Sequence, residues 1–475
     1  MLFNSFTFIL FFVVVFLIYR LPLPWRARKV WLLGASYFFY AAWNPPFVLL
    51  LAISTVADWF LARRIASARR PGKKRGFLAA SLAVNLGLLG YFKYAGFLID
   101  NLNQLLSFLN VQFSPSPVDV ILPVGISFYT FQTLSYTIDI YRGKMKPWHS
   151  FLDYALYVSF FPQLVAGPIV RAGDFLPQCE RPPDVPRDEV AWGLSLLLLG
   201  LFLKIALADG LLAPVAEAVY DGKGVPDFVS AWFGCAAFSG QIYCDFAGYS
   251  LCALGLARCF GFAIMENFNC PYAAAGFTDF WRRWHISFSS WLRDYVYFPL
   301  GGSRKGWART QFNTVVTMLI GGLWHGAAWT YVVWGGIHGL LIVVERVLKR
   351  VTRPLAWKTG LPVTLSAALF TFALWCFVFV FFRSRTFDQA FMLMGSLAGL
   401  PGGGEKTIFL PFADLLITGT VMALLLAAHW FLRDRSLRVV AEKTPGWLRS
   451  LLIAGMIVGI AVLSGEDRAF IYFQF

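Results

Sequence analysis

The stretch "PVTLSAALFTFALWCFVFVFF" (362–382) decides the fold class, because its 21 consecutive residues include no charged side chain. A helix of about 20 apolar residues matches the hydrocarbon thickness of a bilayer. Comparable apolar runs recur along the chain, at Phe6–Tyr19, Phe77–Leu98, Val190–Leu212, Leu415–Leu432 and Leu451–Leu463. Backbone groups find no water in hydrocarbon, and these runs lack the alternation of a β-barrel. The sequence therefore predicts an all-α, polytopic membrane protein.

The composition agrees with this class. Of the 475 residues, 58% are hydrophobic and 14% are charged, whereas soluble domains carry about 25% charged residues. We find no internal repeat or soluble segment and predict one membrane domain over residues 1–475. The first run follows Met-Leu-Phe-Asn-Ser without a basic residue, which predicts a retained helix and not a cleaved signal peptide. The seven cysteines form no Cys-x-x-Cys pair, so buried packing is predicted for them and no metal site.

The net charge of +15 is explained by membrane topology. Lys and Arg cluster in short loops such as 20–29, 63–75 and 142–146, whereas residues 99–120 contain neither. By the positive-inside rule the basic loops are cytoplasmic, and the 99–120 loop and both termini are extracytoplasmic. The chain is therefore predicted to cross its membrane several times. Membrane lipids are the predicted surroundings, and no nucleic acid partner is expected.

The order of apolar runs and basic loops predicts about ten to thirteen transmembrane or re-entrant helices. Asn44-Pro45-Pro46 should interrupt the second run and produce a hairpin. Residues 159–175 are too short and too rich in Pro and Gly to cross. Residues 310–345 begin and end near basic loops, with interruptions predicted at Gly321-Gly322 and Gly335-Gly336. We predict that both segments are re-entrant, because irregular backbone at membrane depth must be buried in protein or line a cavity. This places His325 at the bend of a buried hairpin, near a cavity.

One histidine, His325, occupies the apolar motif "GGLWHGAAW" (321–329). An ionisable group within the membrane is costly and marks a candidate functional site, and imidazole can accept a proton from a hydroxyl near neutral pH. Gly322 and Gly326 lack side chains, which would let a substrate approach, and Trp324 is a candidate substrate contact. The alternative is a neutral structural imidazole held by one hydrogen bond.

A second histidine, His285, lies in "FTDFWRRWHISFSSWLRDYVYFPLGG" (277–302). This mixture of aromatic and basic residues is typical of a helix at the membrane interface, in which the histidine would be incidental. Alternatively, Arg282, Arg283 and Arg293 form a basic entrance for a phosphate-bearing substrate, with His285 inside it. The spacing does not separate these alternatives.

Four further polar residues lie within apolar runs. Asp245 follows Gln241 by about one helical turn, and both are candidate substrate-binding residues. Lys204 and Asp209 form a second pair. Mutual neutralisation of charge and helix pairing are the competing explanations for these residues.

The remaining histidines are given structural roles. His338 should point away from His325 on a continuous helix, which favours packing. His149 and His429 are interpreted as interfacial residues. No phosphate loop, His-Glu-x-x-His or Gly-x-Ser-x-Gly motif occurs, which disfavours an ATP-driven pump, a zincin protease and an α/β-hydrolase.

Several motifs together resemble the membrane-bound O-acyltransferase (MBOAT) family, in its bacterial branch that acetylates polysaccharides such as alginate. They are "ILPVGISFYTFQTLSYTIDIYRG" (121–143), "FFPQLVAGPIVR" (160–171), "DFWRRWHISFSSWLRDYVYFPLGG" (279–302), "GGLWHGAAWTYVVWGGIHG" (321–339), "VFFRS" (380–384) and "FIYFQF" (470–475). The resemblance implies a ring of helices around a central funnel that opens to the cytoplasm. It places the family's characteristic histidine at His325 and its second polar position at His285.

The resemblance further implies an O-acyltransferase with no bound cofactor. Its acetyl donor would be a cytoplasmic thioester, either acetyl-coenzyme A or an acyl carrier protein. A periplasmic SGNH-type acetyltransferase, within a polysaccharide biosynthesis complex, would complete the transfer. The residues alone leave two alternatives: a channel or transporter for a polysaccharide or lipid-linked sugar, and a membrane scaffold for an extracellular acetyltransferase. Transporters of this size commonly contain inverted repeats, which the sequence lacks.

Overall fold

The structure is a computed structural model that describes residues 1–113, 115–116, 120–165, 167–352, 360–400, 406–464, 468, 470 and 471. Regular structure among these residues is helical except for β1 (Val225–Pro226), which pairs in parallel with β2 (Thr407–Ile408). Six described helical segments are long and apolar enough to cross a bilayer: Pro71–Phe108, Arg187–Tyr220, Trp329–Thr352, Leu361–Arg383, Phe412–Leu432 and Gly446–Leu463. The predicted all-α, polytopic class is confirmed.

The chain forms two compact units. The first comprises Met1–Leu197 and Ala253–Met265, and the second comprises Leu198–Cys252 and Glu266–Phe475. The helices up to the first border are α1 (Phe6–Arg20), α2 (Trp25–Ala41), α3 (Phe47–Ser67), α4 (Pro71–Leu89), α5 (Ala95–Phe108), α6 (Ile126–Tyr141), α7 (Phe151–Ser159), α8 (Phe161–Leu164), α9 (Ala172–Phe175) and α10 (Arg187–Leu201). The single domain over 1–475 stays a prediction.

The later helices are α11 (Ala213–Tyr220), α12 (Phe228–Cys259), α13 (Phe277–Arg283), α14 (Ile286–Leu292), α15 (Trp307–His325), α16 (Trp329–Thr352), α17 (Leu361–Arg383), α18 (Phe387–Leu397), α19 (Phe412–Leu432), α20 (Leu437–Lys443) and α21 (Gly446–Leu463). π-Helical turns occupy Gly90–Tyr94, Phe202–Leu212 and Arg293–Tyr297, and 3₁₀ turns occupy Leu176–Cys179 and Pro271–Ala273. The six long segments meet both the length and the apolar composition of a membrane span, whereas α1 is apolar but shorter, with 15 residues. Six is fewer than the ten to thirteen transmembrane or re-entrant helices predicted, and that higher count stays a prediction.

The break predicted at Asn44-Pro45-Pro46 is confirmed, because α2 ends at Ala41 and α3 begins at Phe47. The predicted external loop 99–120 is partly wrong. Helix α5 continues to Phe108, since Leu98, Leu102 and Leu105 repeat at helical spacing. Residues 114 and 117–119 of that loop, and residues 472–475 of the predicted terminal motif, lie outside the described residues.

A buried polar network links α3, α4 and α6 in the first unit. The Asp58 carboxylate accepts hydrogen bonds from Ser81 Oγ at 2.5 Å and from Asn85 Nδ2 at 2.7 Å. The Asn85 side-chain oxygen in turn accepts from Ser54 Oγ at 2.7 Å and Thr133 Oγ1 at 3.1 Å. Polar side chains that satisfy one another in this way join helices in apolar surroundings.

The two segments predicted as re-entrant have different structures. The described residues of the first segment, 159–165 and 167–175, form short helices and irregular backbone, as expected, and the side chains of Phe160, Phe161 and Ile169 are fully buried. Residues 310–345 instead form the continuous helices α15 and α16 on either side of a bend after His325. The prediction that the glycine pairs interrupt helices is wrong, because both pairs lie inside these helices.

Candidate functional site

His325 is the last residue of α15, and its side chain is buried with 2% exposure. Gly326 follows in an extended conformation with φ −158° and ψ 151°, and α16 begins at Trp329. The chain therefore reverses immediately after the histidine. This confirms the prediction that His325 lies at the bend of a buried hairpin.

The hairpin is packed through glycine. A Cβ atom built on Gly322 would collide with the Tyr331 carbonyl oxygen and would lie 3.1 Å from the backbone of Gly335. A Cβ atom on Gly326 would collide with the ring of Tyr331. The interpretation that Gly322 and Gly326 leave room for a substrate is therefore wrong, since the hairpin itself fills the space beside both residues.

Aromatic rings surround the His325 imidazole. The distances from its ring centroid to its neighbours are 5.0 Å to Trp324, 5.2 Å to Trp334, 5.3 Å to Phe382, 5.5 Å to Phe288 and 6.4 Å to His285. The two histidines assigned to the site from sequence are thus neighbours in the second unit. Phe288 packs against both, because its ring also lies 4.9 Å from that of His285.

His285 lies at the break between α13 and α14 and is fully buried. Its φ of 44° is in the left-handed region, which non-glycine residues occupy uncommonly and often at functional sites. Residues 277–302 therefore do not form one interfacial anchoring helix. The alternative that His285 is an incidental residue on such a helix is wrong, because the backbone turns the imidazole into the protein.

Asn267 holds this break in place. Its backbone oxygen accepts the Ile286 N–H at 2.9 Å, and its side-chain oxygen accepts the Ser287 hydroxyl at 2.6 Å and the Ser287 N–H at 3.3 Å. The Asn267 amide donates to Ser250 Oγ at 3.2 Å. These bonds satisfy donors at the start of α14, where a helix lacks internal partners. They fix the position of the backbone that carries His285.

The predicted substrate-binding residues near this site are in three different environments. Arg282 is exposed. Arg283 is half-buried and donates to Asp279 Oδ1 at 2.9 Å and to the Arg433 carbonyl oxygen at 3.0 Å. Trp324 is buried and stacks on Phe288 at 4.3 Å between ring centroids. Of the two arginines, Arg282 is the one available to a phosphate group.

Asp245 forms an ion pair, which supports the alternative of mutual neutralisation. Lys204 Nζ lies 2.6 Å from Asp245 Oδ1 and 2.9 Å from Asp209 Oδ1, and all three side chains are buried. The other oxygen of Asp245 accepts the Ile471 N–H at 2.8 Å. Gln241 is half-buried. A direct role of Asp245 and Gln241 in substrate binding stays a prediction.

The other histidines are mostly structural, with one correction. His338 is fully buried, and its ring lies 4.7 Å from that of Trp334, in agreement with the predicted packing role. His149 is exposed. The interfacial interpretation of His429 is wrong, because this residue is buried and its Nδ1 accepts the Tyr272 N–H at 3.2 Å. None of the seven cysteines, all of which lie in described segments, forms a disulfide bond, and six of them are buried.

Sequence reasoning missed Asn267, Phe288, Trp334 and Phe382, which shape the surroundings of the two histidines. Phe288 follows His285 by three residues within the motif 277–302, and Phe382 belongs to the motif "VFFRS" (380–384). Their side chains are apolar and carry no chemical signal of their own. Only the tertiary packing identifies them.

Known proteins share most of this chain. The profile of the membrane-bound O-acyltransferase family matches residues 141–387, which include both histidines. A probable alginate O-acetylase AlgI from Pseudomonas putida is 37% identical over 100% of both chains, and one from Azotobacter vinelandii is 40% identical over 84% of this chain and 78% of its own. A peptidoglycan O-acetyltransferase from Helicobacter pylori is 34% identical over 94% of this chain and 91% of its own. The chain therefore belongs to the membrane-bound O-acyltransferase family and is an O-acyltransferase.

Proposed function

We propose that this protein moves an acetyl group from a cytoplasmic thioester donor across the bacterial inner membrane for O-acetylation of an extracytoplasmic polysaccharide such as alginate. The names of the relatives support this acceptor class, since several are probable alginate O-acetylases and one acts on peptidoglycan. The donor is acetyl-coenzyme A or an acyl carrier protein. The basic loops then face the cytoplasm, and both termini are extracytoplasmic.

One observation carries the proposal. Two imidazoles, those of His285 and His325, lie with ring centroids 6.4 Å apart in surroundings that are otherwise aromatic. An imidazole can take a proton from an alcohol near neutral pH, and the Trp324, Trp334 and Phe382 rings around His325 would shield that step from water.

The chemistry needs one base. His325 accepts the hydroxyl proton of the acceptor while the hydroxyl oxygen attacks the thioester carbonyl. The tetrahedral intermediate collapses, the C–S bond breaks, and the imidazolium returns the proton to the departing thiolate. His285 orients the donor or stabilises the oxyanion, which is the charge that develops in the transition state. Surrounding apolar rings exclude water, so the acetyl group reaches the acceptor without hydrolysis.

Access to the base requires movement. Because only 2% of His325 is exposed, the reacting groups reach it only when neighbouring rings such as Phe288 or Phe382 change position. Arg282, which is exposed on α13, attracts the phosphates of the donor to the same part of the second unit. Binding of the donor would then favour the position of the Phe288 or Phe382 ring that exposes His325.

The proposed partner is a periplasmic acetyltransferase of the SGNH type, which receives the acetyl group and passes it to the polysaccharide. The first acceptor is then a hydroxyl of that partner or of the sugar itself. The protein acts within a polysaccharide biosynthesis complex at the membrane.

The experiment is single-turnover transfer of labelled acetyl from a thioester by purified protein in detergent, with an alcohol acceptor. We expect the His325→Ala protein to lose activity by about 10²- to 10⁴-fold, the usual contribution of a positioned general base. The exposed residue of the same type, His149, provides the matched control, and the His149→Ala protein should transfer at the parental rate. Transfer by His325→Ala at that rate would remove the residue from the chemistry. A parent protein that moves sugar but never cleaves the thioester would identify a transporter.

A further inference from the structure

The end of the chain contacts the residues that pack on His285. The Ile471 N–H donates to Asp245 Oδ2 at 2.8 Å, and Asp245 is followed on α12 by Phe246. The Phe246 ring lies 5.7 Å from that of Phe470 and 4.7 Å from that of His285, which it meets edge-on at 85°. Two successive ring contacts therefore connect Phe470 to His285.

Charged groups hold this end of the chain. Arg468 forms a two-pronged contact with the Glu217 carboxylate at 3.1 and 2.8 Å, and it donates to the Asp209 carbonyl oxygen at 2.7 Å. Lys204 bridges the carboxylates of Asp209 and Asp245. A single ammonium cannot satisfy both oxygens of two buried carboxylates, so the Ile471 N–H supplies a donor that Asp245 would otherwise lack. The terminal residues thus complete a buried polar network.

The π-helical segment Phe202–Leu212 explains how Lys204 reaches Asp209. The two residues are five positions apart, and on a regular α-helix they would point in clearly different directions, since each residue turns the helix by about 100°. The wider π-turn, with its i to i+5 bonds, places them on one face. Such turns are frequent at functional sites, and here the turn builds the anchor for the terminal residues.

We propose that Arg468, Phe470 and Ile471 form a terminal strap, held by Asp245 and Glu217, that positions the His285 imidazole through Phe246. Asp245 is then a positioning residue that acts through the strap. The consequence for acetyl transfer rests on the proposed function, whereas the effect on the orientation of His285 does not.

The first test is independent of activity. In full-length protein with ¹³C-labelled histidine, ring currents from Phe246 and its neighbours affect the His285 resonance, which is assigned by its loss in His285→Gln. We expect Phe470→Leu, which keeps an apolar side chain, to shift the His285 resonance and to leave that of the exposed His149 unchanged. Asp245→Asn should shift the same resonance. Phe412 is 78% exposed, and Phe412→Leu serves as the control. An unchanged His285 resonance in both Phe470→Leu and Asp245→Asn would overturn the proposal.

The second test uses acetyl transfer. Misplacement of a site group by about 1 Å can lower rates by up to a hundredfold, so we expect kcat of Phe470→Leu to fall about tenfold or more while KM for the donor is unchanged. Phe470→Tyr, which keeps the aromatic ring, should have a kcat close to that of the parent. A shifted His285 resonance with full transfer by His285→Gln would leave the strap intact and remove His285 from the proposed function.

Discussion

Gly322 and Gly335 lie backbone against backbone where α15 packs on α16, and a Cβ atom built on Gly335 would lie 3.0 Å from the Gly322 α-carbon. The same atom would collide with the Met318 carbonyl oxygen. Since His325 is the last residue of α15, this contact fixes the position of the histidine relative to α16. Small residues have the same use wherever membrane helices approach closely.

The first prediction concerns this contact. Gly335→Ala should lower the free energy of unfolding by about 1–3 kcal/mol or more, because the neighbours of the added methyl are backbone atoms that cannot move aside. The adjacent Gly336 provides a control, since a Cβ atom there meets only the tip of the flexible Leu319 side chain at 3.0 Å. Thermal unfolding in detergent measures both variants. Equal melting temperatures for Gly335→Ala and Gly336→Ala would contradict the packing argument.

The second prediction is that His338, unlike His325, has a packing role and no role in acetyl transfer. In the part of the chain that the structure describes, neither ring nitrogen of His338 forms a hydrogen bond, and its ring packs on Trp281, Trp334 and Trp375. His338→Phe should change stability by no more than about 1 kcal/mol, because an aromatic side chain of similar shape replaces a group without a bond. Acetyl transfer should persist. A loss as large as that of His325→Ala would give His338 a chemical role.

The sequence was informative where the signal is local. Apolar length identified the membrane helices, and the Asn44-Pro45-Pro46 break was correctly placed because proline disfavours helix geometry at the residue before it. The bend at His325 was predicted because residues 310–345 begin and end near basic loops, so that the chain has to reverse between them. Glycine was misleading at Gly335-Gly336, since its low helix propensity predicts a break while its small size also permits close packing. Composition does not distinguish these two uses.

The proximity of His285 to His325 could not be derived from local pattern. It depends on the left-handed backbone at His285 and on bonds from Asn267, neither of which follows from residue spacing. The aromatic and basic residues around His285 left an interfacial helix and a basic entrance as open alternatives, because the same residue types occur at membrane interfaces and at buried sites. Only the family resemblance singled out both histidines together.

The third prediction concerns Asn267. Asn267→Ala should lower the free energy of unfolding by about 1–2 kcal/mol, since it removes the oxygen that accepts hydrogen bonds from the Ser287 hydroxyl and N–H at the start of α14. The folded fraction of Asn267→Ala should also transfer acetyl more slowly than the folded parent, because the backbone that carries His285 is no longer held by Asn267. Asn267→Asp keeps the accepting oxygen and should recover most of the transfer rate. The idea fails if Asn267→Ala transfers acetyl at the parental rate.

The fourth prediction separates two neighbouring arginines by what they contact. Arg283 bonds to Asp279 and to the Arg433 carbonyl oxygen, so Arg283→Gln should lower the free energy of unfolding by about 1–3 kcal/mol. Arg282 is exposed, and Arg282→Gln should leave the melting temperature unchanged while raising KM for a phosphate-bearing donor.

An exposed ion pair contributes up to about 1 kcal/mol, so the increase in KM for Arg282→Gln should be about fivefold at most and should shrink as salt is added. A donor without phosphates, such as acetylated N-acetylcysteamine, should show no difference between Arg282→Gln and the parent. If Arg282→Gln and the parent have the same KM for the phosphate-bearing donor, the phosphates of that donor bind elsewhere.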